Sequence, residues 1–409
     1  MKVLQINSVC GFGSTGRIVT DIASKLRENN IESYIAYGRQ TLIDNDNILK
    51  IGNKLDYYIH GGLTRLFDTH ALLGSRTATK RFIEQIKSID PDIIHIHNLH
   101  GYYINIIILF NYLKQTGKPV VWTLHDCWSF TGHCAYFSYV KCDKWIEGCH
   151  KCPQRTSYPA STFWDNSKRN YNIKKDLFTS LENMTIVTPS QWLADLVGKS
   201  FLSKYPVKVI HNGIDTDIFK PVDGKPVREK LKIGNKFIIL GVASIWSKRK
   251  GLDYFIELSK IIDDDSIIVL VGLDEKQIEN LPLNIIGLKR TSNILELVQI
   301  YSAADVFVNP SVEETFGLVT AEALACGIPA IVFDSTPGSE IVIDDCGFVA
   351  EPGNIYDIKK FIDIIKRNGK GYYSEKCVRR VRNKFSKADR FDEYIELFRY
   401  LDKYRGKFC

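Results

Sequence analysis

The sequence lacks an apolar run long enough to cross a membrane. The stretch Ile104 to Leu113 is broken by Asn105 and Asn111 and falls well short of the roughly 20 residues a span needs. The start, Met1-Lys-Val-Leu-Gln-Ile6, has neither the long apolar core nor the small-residue cleavage site of a secretory leader. A cytoplasmic chain is therefore expected, with peripheral association at the cytoplasmic membrane face as the furthest departure. Short-period repeats and low-complexity tracts are also missing, which excludes solenoids and disordered tails. Charge of one sign is scarcely in excess: 54 Lys and Arg face 47 Asp and Glu, and the net +7 is spread along the chain. Anionic partners are favoured only mildly, and nucleic acid is not among those expected.

What is present is enough apolar material for two cores. A chain of 409 residues, 44% of them hydrophobic, exceeds what one core usually organises. Short β-branched runs recur at Lys2 to Ile6, Ile93 to His97, Val120 to Leu124, Thr185 to Thr188 and Val207 to Ile210. They continue at Phe237 to Val242, Ile267 to Val271, Val306 to Asn309 and Ala330 to Phe333. Such runs read as buried parallel strands. Between them lie amphipathic stretches, among them Gly16 to Asn29, Gly251 to Ile262 and Ile294 to Ala303. The pattern predicts an α/β chain of two doubly wound, Rossmann-like domains. The expected boundaries are 1–205, with a cysteine-rich insert at 127–164, then 206–388, and a terminal amphipathic helix over 389–409.

In Pro310-Ser-Val-Glu-Glu-Thr-Phe-Gly-Leu-Val-Thr-Ala-Glu-Ala-Leu-Ala-Cys-Gly-Ile-Pro329, a strand ends and a helix is predicted to start near Phe316 or Gly317. Helical side chains lean towards the N-terminus, so Glu322 can point back to the mouth that Glu314 borders, and free N–H groups there attract an anion. An arbitrary pair of carboxylates is usually solvated, but here Gly317 permits close approach and Gly327-Ile-Pro329 ends the helix before a strand.

This segment resembles the E-x7-E motif of family 4 retaining glycosyltransferases, of the bacterial exopolysaccharide, capsule and colanic-acid type, which have the GT-B fold. Pro189-Ser-Gln-Trp-Leu193, Val209-Ile-His-Asn-Gly-Ile-Asp215, Phe219-Lys-Pro221 and Ala303-Ala-Asp-Val-Phe-Val-Asn-Pro-Ser311 extend the resemblance over most of the chain. It implies two domains facing a cleft, the first for an acceptor and the second for a nucleotide-sugar donor, UDP- or GDP-linked. Glu322 would bind ribose hydroxyls and Glu314 hydroxyls of the transferred sugar, with N–H groups near Phe316, Gly317 and Leu318 approaching phosphate or sugar. The acceptor would be a glycan or lipid-linked oligosaccharide in cell-surface polysaccharide synthesis, and catalysis would need no metal.

Lys248, Arg249 and Lys250 gather between a strand and a helix, where a diphosphate would find its counter-charge. Lys250 matches the family's lysine, whereas Ser244 stands roughly where an arginine is usual, so Arg249 is the candidate replacement. Near the N-terminus, Gly13 and Gly16 in Gly11-Phe-Gly-Ser-Thr-Gly16 are second-rank candidates for donor contact at a helix start.

Trp122-Thr-Leu-His-Asp126 places His125 and Asp126 at a strand's carboxyl edge. A lone histidine there is ordinarily structural, but the resemblance implies that His125 contacts the donor sugar. His97 and Asn98 are placed near the acceptor. Five cysteines fall between Cys127 and Cys152, and the closing C-x-x-C makes Cys134, Cys142, Cys149 and Cys152 the candidate ligands of a structural zinc, weighed evenly against free thiols. Two rival readings are a nucleotide-sugar epimerase of the same fold and a catalytically inactive GT-B subunit. The Glu314–Glu322 pattern argues against the first; intact Glu314, Glu322, His125 and Lys250 argue against the second.

Overall fold

A computed structural model describes residues 1–43, 45, 47–343 and 345–404; the last five residues of the expected terminal helix segment lie outside that description. The chain divides into two units. The first comprises Met1–His211 together with the segment from Phe391 onward, and the second is Asn212–Arg390. The chain passes between them a few residues later than the sequence boundaries at 205 and 388.

The first unit holds a seven-stranded sheet in the order β3-β2-β1-β4-β5-β6-β7. Its strands are β1 (Lys2–Cys10), β2 (Glu32–Thr41), β3 (Ile48–Lys50), β4 (Ile93–Ile96), β5 (Val120–Thr123), β6 (Met184–Thr188) and β7 (Val207–Val209). The second unit holds six, in the order β10-β9-β8-β11-β12-β13. These are β8 (Phe237–Val242), β9 (Ser266–Val271), β10 (Ile285–Leu288), β11 (Val306–Asn309), β12 (Ala330–Phe333) and β13 (Gly347–Ala350). Every described pairing is parallel. A parallel sheet covered by helices on both faces buries both, which is why Val3, Leu4, Ile6, Ile94 and Ile96, on adjacent strands, are all fully buried.

All nine runs read as strands are strands. Those missed are β2, β3, β10 and β13. β2 has only the pair Ile35-Ala36 as aliphatic residues, between polar residues, tyrosines and Gly38, and β13 begins on Gly347. In each sheet the strand order reverses beside the first strand of the unit: β1 lies between β2 and β4, and β8 between β9 and β11. Loops diverge to opposite faces at such a reversal and open a crevice at the carboxyl ends of the strands.

The terminal helix, Lys387–Lys403, buries Phe391, Tyr394, Ile395 and Phe398 in a cluster with Val3, Ile22, Ile93 and Val121 of the first unit. The Tyr394 hydroxyl lies 3.2 Å from Thr123 Oγ1.

Candidate functional site

In the second unit, the loops that leave β8 and β11 meet. Gly251 makes their approach possible. Its φ of +80° is left-handed, and a Cβ there would lie 2.5 Å from the Pro310 carbonyl oxygen. The backbone then knits the two loops together: Val312 N–H donates to the Arg249 carbonyl at 3.1 Å, and buried Ser311 donates to the carbonyls of Arg249 at 3.3 Å and Glu313 at 3.0 Å.

These contacts set the charges. Lys250 Nζ donates to Glu314 Oε1 in a half-buried ion pair. Arg249 turns to the same loop, donating to the Glu313 carbonyl at 3.3 Å, with its Nε 3.8 Å from the buried Glu313 carboxylate. The candidate phosphate and sugar residues thus come together, and the neighbour Glu313 becomes Arg249's partner. Sequence reading did not single out Glu313.

Phe316 is buried and packs edge-on against Phe385, with ring centroids 5.6 Å apart. The next helix is Leu318–Ala325, capped by Gly317 at φ +98° rather than started by it. No side chain caps this end; the Thr320 N–H donates to the Gly317 carbonyl at 3.0 Å, which leaves the N–H groups of Leu318 and Val319 as the first-turn donors without an intrahelical acceptor. Glu322 lies one turn further on, where its Oε2 accepts from the hydroxyl of fully buried Tyr301 at 3.1 Å. Tyr301, on the helix Ile294–Ala303, therefore fixes the Glu322 side chain.

In the first unit, Gly13, with φ +67°, opens the helix Gly13–Glu28 after β1, and the Gly11 N–H donates to the Gly16 carbonyl at 3.0 Å. His97, Asn98, His125 and Asp126 line one pocket together with His100 and Trp128.

Hydrogen bonds fix the protons in this pocket. Gln5 Nε2 donates to the Val19 carbonyl at 3.0 Å, so its Oε1 is the acceptor that faces His97 Nε2 at 3.2 Å. Burial holds His97 well below its usual pKa, and its ring is neutral. One ring proton is then on Nε2, and Nδ1 accepts from His125 Nε2 at 3.0 Å. Burial likewise lowers His125 to about 4, with Asp126 opposing. Burial alone would raise Asp126, but His100 at 2.6 Å and the Trp128 N–H outweigh it, and its pKa is lowered. Gln5 was not foreseen, because a glutamine inside a strand carries no signal of its own.

A second buried network lies beside this pocket. Asp68, His70 and His133 are the one set among the described residues whose metal-competent atoms fall within 4.8 Å of one another. Proton placement argues against an ion there. Trp128 Nε1–H donates to His70 Nδ1 at 2.8 Å, which leaves the His70 proton on Nε2, facing Asp68 Oδ1 at 2.8 Å. A metal-bound imidazole needs the reverse, a bare nitrogen inward and an N–H outward. The set is a hydrogen-bonded anchor. Burial would raise Asp68, yet the bonds from His133 and His70 bring it to about 2.

The cysteines behave differently. Cys134, Cys142, Cys149 and Cys152 are free thiols around one cavity with Phe137 and Trp145. Cys134 and Cys152 are hydrogen-bonded, and Gly132 N–H donates to Cys149 Sγ at 3.2 Å. Their sulfurs are not among the sets that converge to 4.8 Å. Lys174 lies fully buried nearby, donating to the Trp128 and Thr131 carbonyls at 2.5 and 2.8 Å, and burial lowers its pKa to about 7.

Two Rossmann-like units, with an acid-and-base loop pair at the strand reversal of the second, define a glycosyltransferase of GT-B fold. Residues 15–218 match the family model described as Glycosyltransferase Family 4, and residues 225–386 that described as Glycosyl transferases group 1. The chain belongs to the family 4 glycosyltransferases. It is 25% identical over 358 residues to an Escherichia coli (strain K12) protein named for glycosyl transfer in colanic acid biosynthesis, WcaC, covering 84% of this chain and 85% of that one. An Escherichia coli UDP-Gal:alpha-D-GlcNAc-diphosphoundecaprenol alpha-1,3-galactosyltransferase is 29% identical over 219 residues, 48% of this chain and 55% of that protein. Among solved structures, sucrose-phosphate synthase from Thermosynechococcus elongatus has a TM-score of 0.71 at 18% identity, covering 98% of both chains. Anabaena HepE in complex with UDP-glucose has 0.67 at 16% identity, covering 98% of this chain and 100% of that one. No helix among the described residues is long and apolar enough to cross a membrane.

Proposed function

We propose that this glycosyltransferase moves a sugar from a UDP- or GDP-linked donor, with retention of anomeric configuration, to a glycan or lipid-linked oligosaccharide in cell-surface polysaccharide synthesis. The observation that carries the reading is the meeting of the Lys248–Lys250 turn with the Glu314–Glu322 segment at the strand reversal of the second unit. Among the similar proteins, HepE in complex with UDP-glucose and the galactosyltransferase named for UDP-Gal support such a donor. The lipid diphosphate in the name of one relative supports a membrane-borne acceptor and peripheral work at the cytoplasmic membrane face.

In this reading the donor belongs to the second unit. Glu322, held by Tyr301, accepts from ribose hydroxyls, and Glu314 from hydroxyls of the sugar. Lys250 and first-turn N–H groups at Leu318 hold the diphosphate, with Arg249 shaping the loop through Glu313. Stabilising the departing diphosphate lowers the barrier, and that diphosphate takes the acceptor's proton on the face it leaves. In the first unit His125 meets the sugar, the Gly13 and Gly16 loop meets the donor, and Asn98 and Asp126 serve the acceptor. His97, with both ring nitrogens engaged, positions His125. Cys134, Cys142, Cys149 and Cys152 line one cavity without their sulfurs converging; a structural zinc there would draw the four thiols together, brace the insert and take no part in the reaction. The test is proton NMR of the product formed from an α-linked nucleotide sugar: an α-glycoside supports the reading, and a β-glycoside refutes retention.

A further inference from the structure

The helix Lys54–Phe67 is inside out. Its buried residues are His60, Gly61 and Thr64, whereas Leu55, Tyr58, Ile59 and Leu66 are exposed, Leu55 by 66% and Tyr58 by 69%. The inversion has a cause. His60 is clamped between Ser75 Oγ at 2.8 Å and the His70 carbonyl at 2.7 Å, and Thr64 Oγ1 donates to the same carbonyl at 3.1 Å. With the polar face held inward, the apolar positions at helical spacing form an outward stripe.

A second segment extends the stripe. Thr162 N–H donates to the Arg65 carbonyl at 2.8 Å and Asn166 Nδ2 to the Phe67 carbonyl at 2.7 Å, which pins the loop to the helix end. That loop carries Phe163, 68% exposed, and Trp164, 59% exposed. Charge is arranged around the patch. Lys54, Arg65, Lys168 and Arg169 are exposed at its margins. The neighbouring carboxylates are turned to backbone N–H groups instead: Asp56 accepts from Asn53, Asp68 from Asn166, and Asp165 from Cys152 and Ser167.

We propose that this face docks on an anionic lipid bilayer, lying in the headgroup region with the apolar stripe and Trp164 inserted and the cations on lipid phosphates. An exposed apolar stripe would be expelled from water, and its cationic margin matches an anionic surface rather than an uncharged one. The inference deepens the lipid-linked acceptor reading and rests on it for its purpose, but its geometry is independent of the donor site.

The test is co-sedimentation of the full chain, without nucleotide sugar, with vesicles of phosphatidylethanolamine and phosphatidylglycerol and with vesicles of phosphatidylcholine alone. Binding is expected to the anionic vesicles, weaker by about tenfold or more to the neutral ones and in high salt. Ile59→Ser with Leu66→Ser should lose about tenfold, and so should Phe163→Ser with Trp164→Ser, a pair on a different segment. These positions are exposed, and unchanged melting temperatures would confirm folding. Absence of vesicle binding, or binding unaltered in both variants, overturns the proposal, as does a patch that instead mediates self-association in sedimentation velocity. Donor hydrolysis in detergent-free solution, measured on the same variants, should be unchanged; its failure in wild type would count against the donor reading and not against docking.

Discussion

Lys250 and Glu314 lie on loops from neighbouring strands, 64 positions apart in sequence, and form one ion pair. In the donor reading one of them meets phosphate and the other sugar, so each must exchange its partner when the donor arrives. Glu314→Ala frees the ammonium. Binding of the bare nucleoside diphosphate should then hold or tighten by up to about fivefold, a change of about 1 kcal/mol, while sugar transfer falls about a hundredfold. Lys250→Ala leaves the carboxylate facing a diphosphate, and diphosphate affinity should fall. Calorimetry with UDP and GDP, beside transfer rates, checks both; equal losses of diphosphate affinity in the two variants would contradict the assignment.

Burial lowers His95 to about 3 and His125 to about 4, and holds His97 well below its usual value. The unfolded chain therefore binds more protons than the folded one below about pH 6.5, and stability falls as pH drops towards 4. His133 is raised by Asp68 against the opposing effect of burial, and its contribution runs the other way, fading as pH rises above its folded value. The three lowered rings, with His60 and His70, which burial lowers as well, outweigh the one raised. His95→Phe removes one of them at a position where Nδ1 has no partner. The substitution also gives up the His95 Nε2 bond to Thr123 Oγ1 at 2.8 Å, so its melting temperature should fall below wild type near pH 7.5 and gain on wild type, by an amount reflecting roughly 2 to 3 kcal/mol, between there and pH 4.5. Parallel pH profiles would show that His95 does not titrate on unfolding.

Gln5 and His97 should act on His125 rather than on substrate. Gln5→Leu removes the acceptor that holds the His97 proton on Nε2 and frees the ring to turn. Turnover should drop about tenfold with KM for the donor little changed, and Gln5→Asn, with its shorter reach, should recover little of it. A merely structural role would lower thermal stability and leave turnover per folded molecule intact.

The thiols of Cys134, Cys142, Cys149 and Cys152 should hold about one zinc per chain. Metal analysis of purified protein, with and without Cys149→Ser, checks this; metal-free wild type with four titratable thiols would remove the zinc.

Much of the fold was legible because buried parallel strands are contiguous apolar runs, as in Phe237 to Val242 and Ala330 to Phe333. β2 escaped because it has neither a contiguous aliphatic run nor strict alternation, and β3 because three residues carry no period. The Glu314–Glu322 segment was legible because a strand, a glycine, a helix and two carboxylates fall in sequence order. The partners Lys250 to Glu314, Arg249 to Glu313 and Tyr301 to Glu322 were not, since pairing across strands depends on topology. The helix Lys54–Phe67 shows the limit most clearly. Its apolar residues would be assigned to the core, yet His60 and Thr64 occupy the core because Ser75 and the His70 carbonyl satisfy them there.

The most direct test of the donor site is thermal stability against a panel of UDP- and GDP-sugars, run on wild type and on Glu322→Ala. A ligand at about 100 times its dissociation constant adds about 2.7 kcal/mol, which reads as a rise of a few degrees. At least one nucleotide sugar should stabilise wild type in this way and hydrolyse slowly without acceptor, and Glu322→Ala should lose most of both. No stabilisation by any member of the panel, or the same shift in Glu322→Ala as in wild type, would contradict the account.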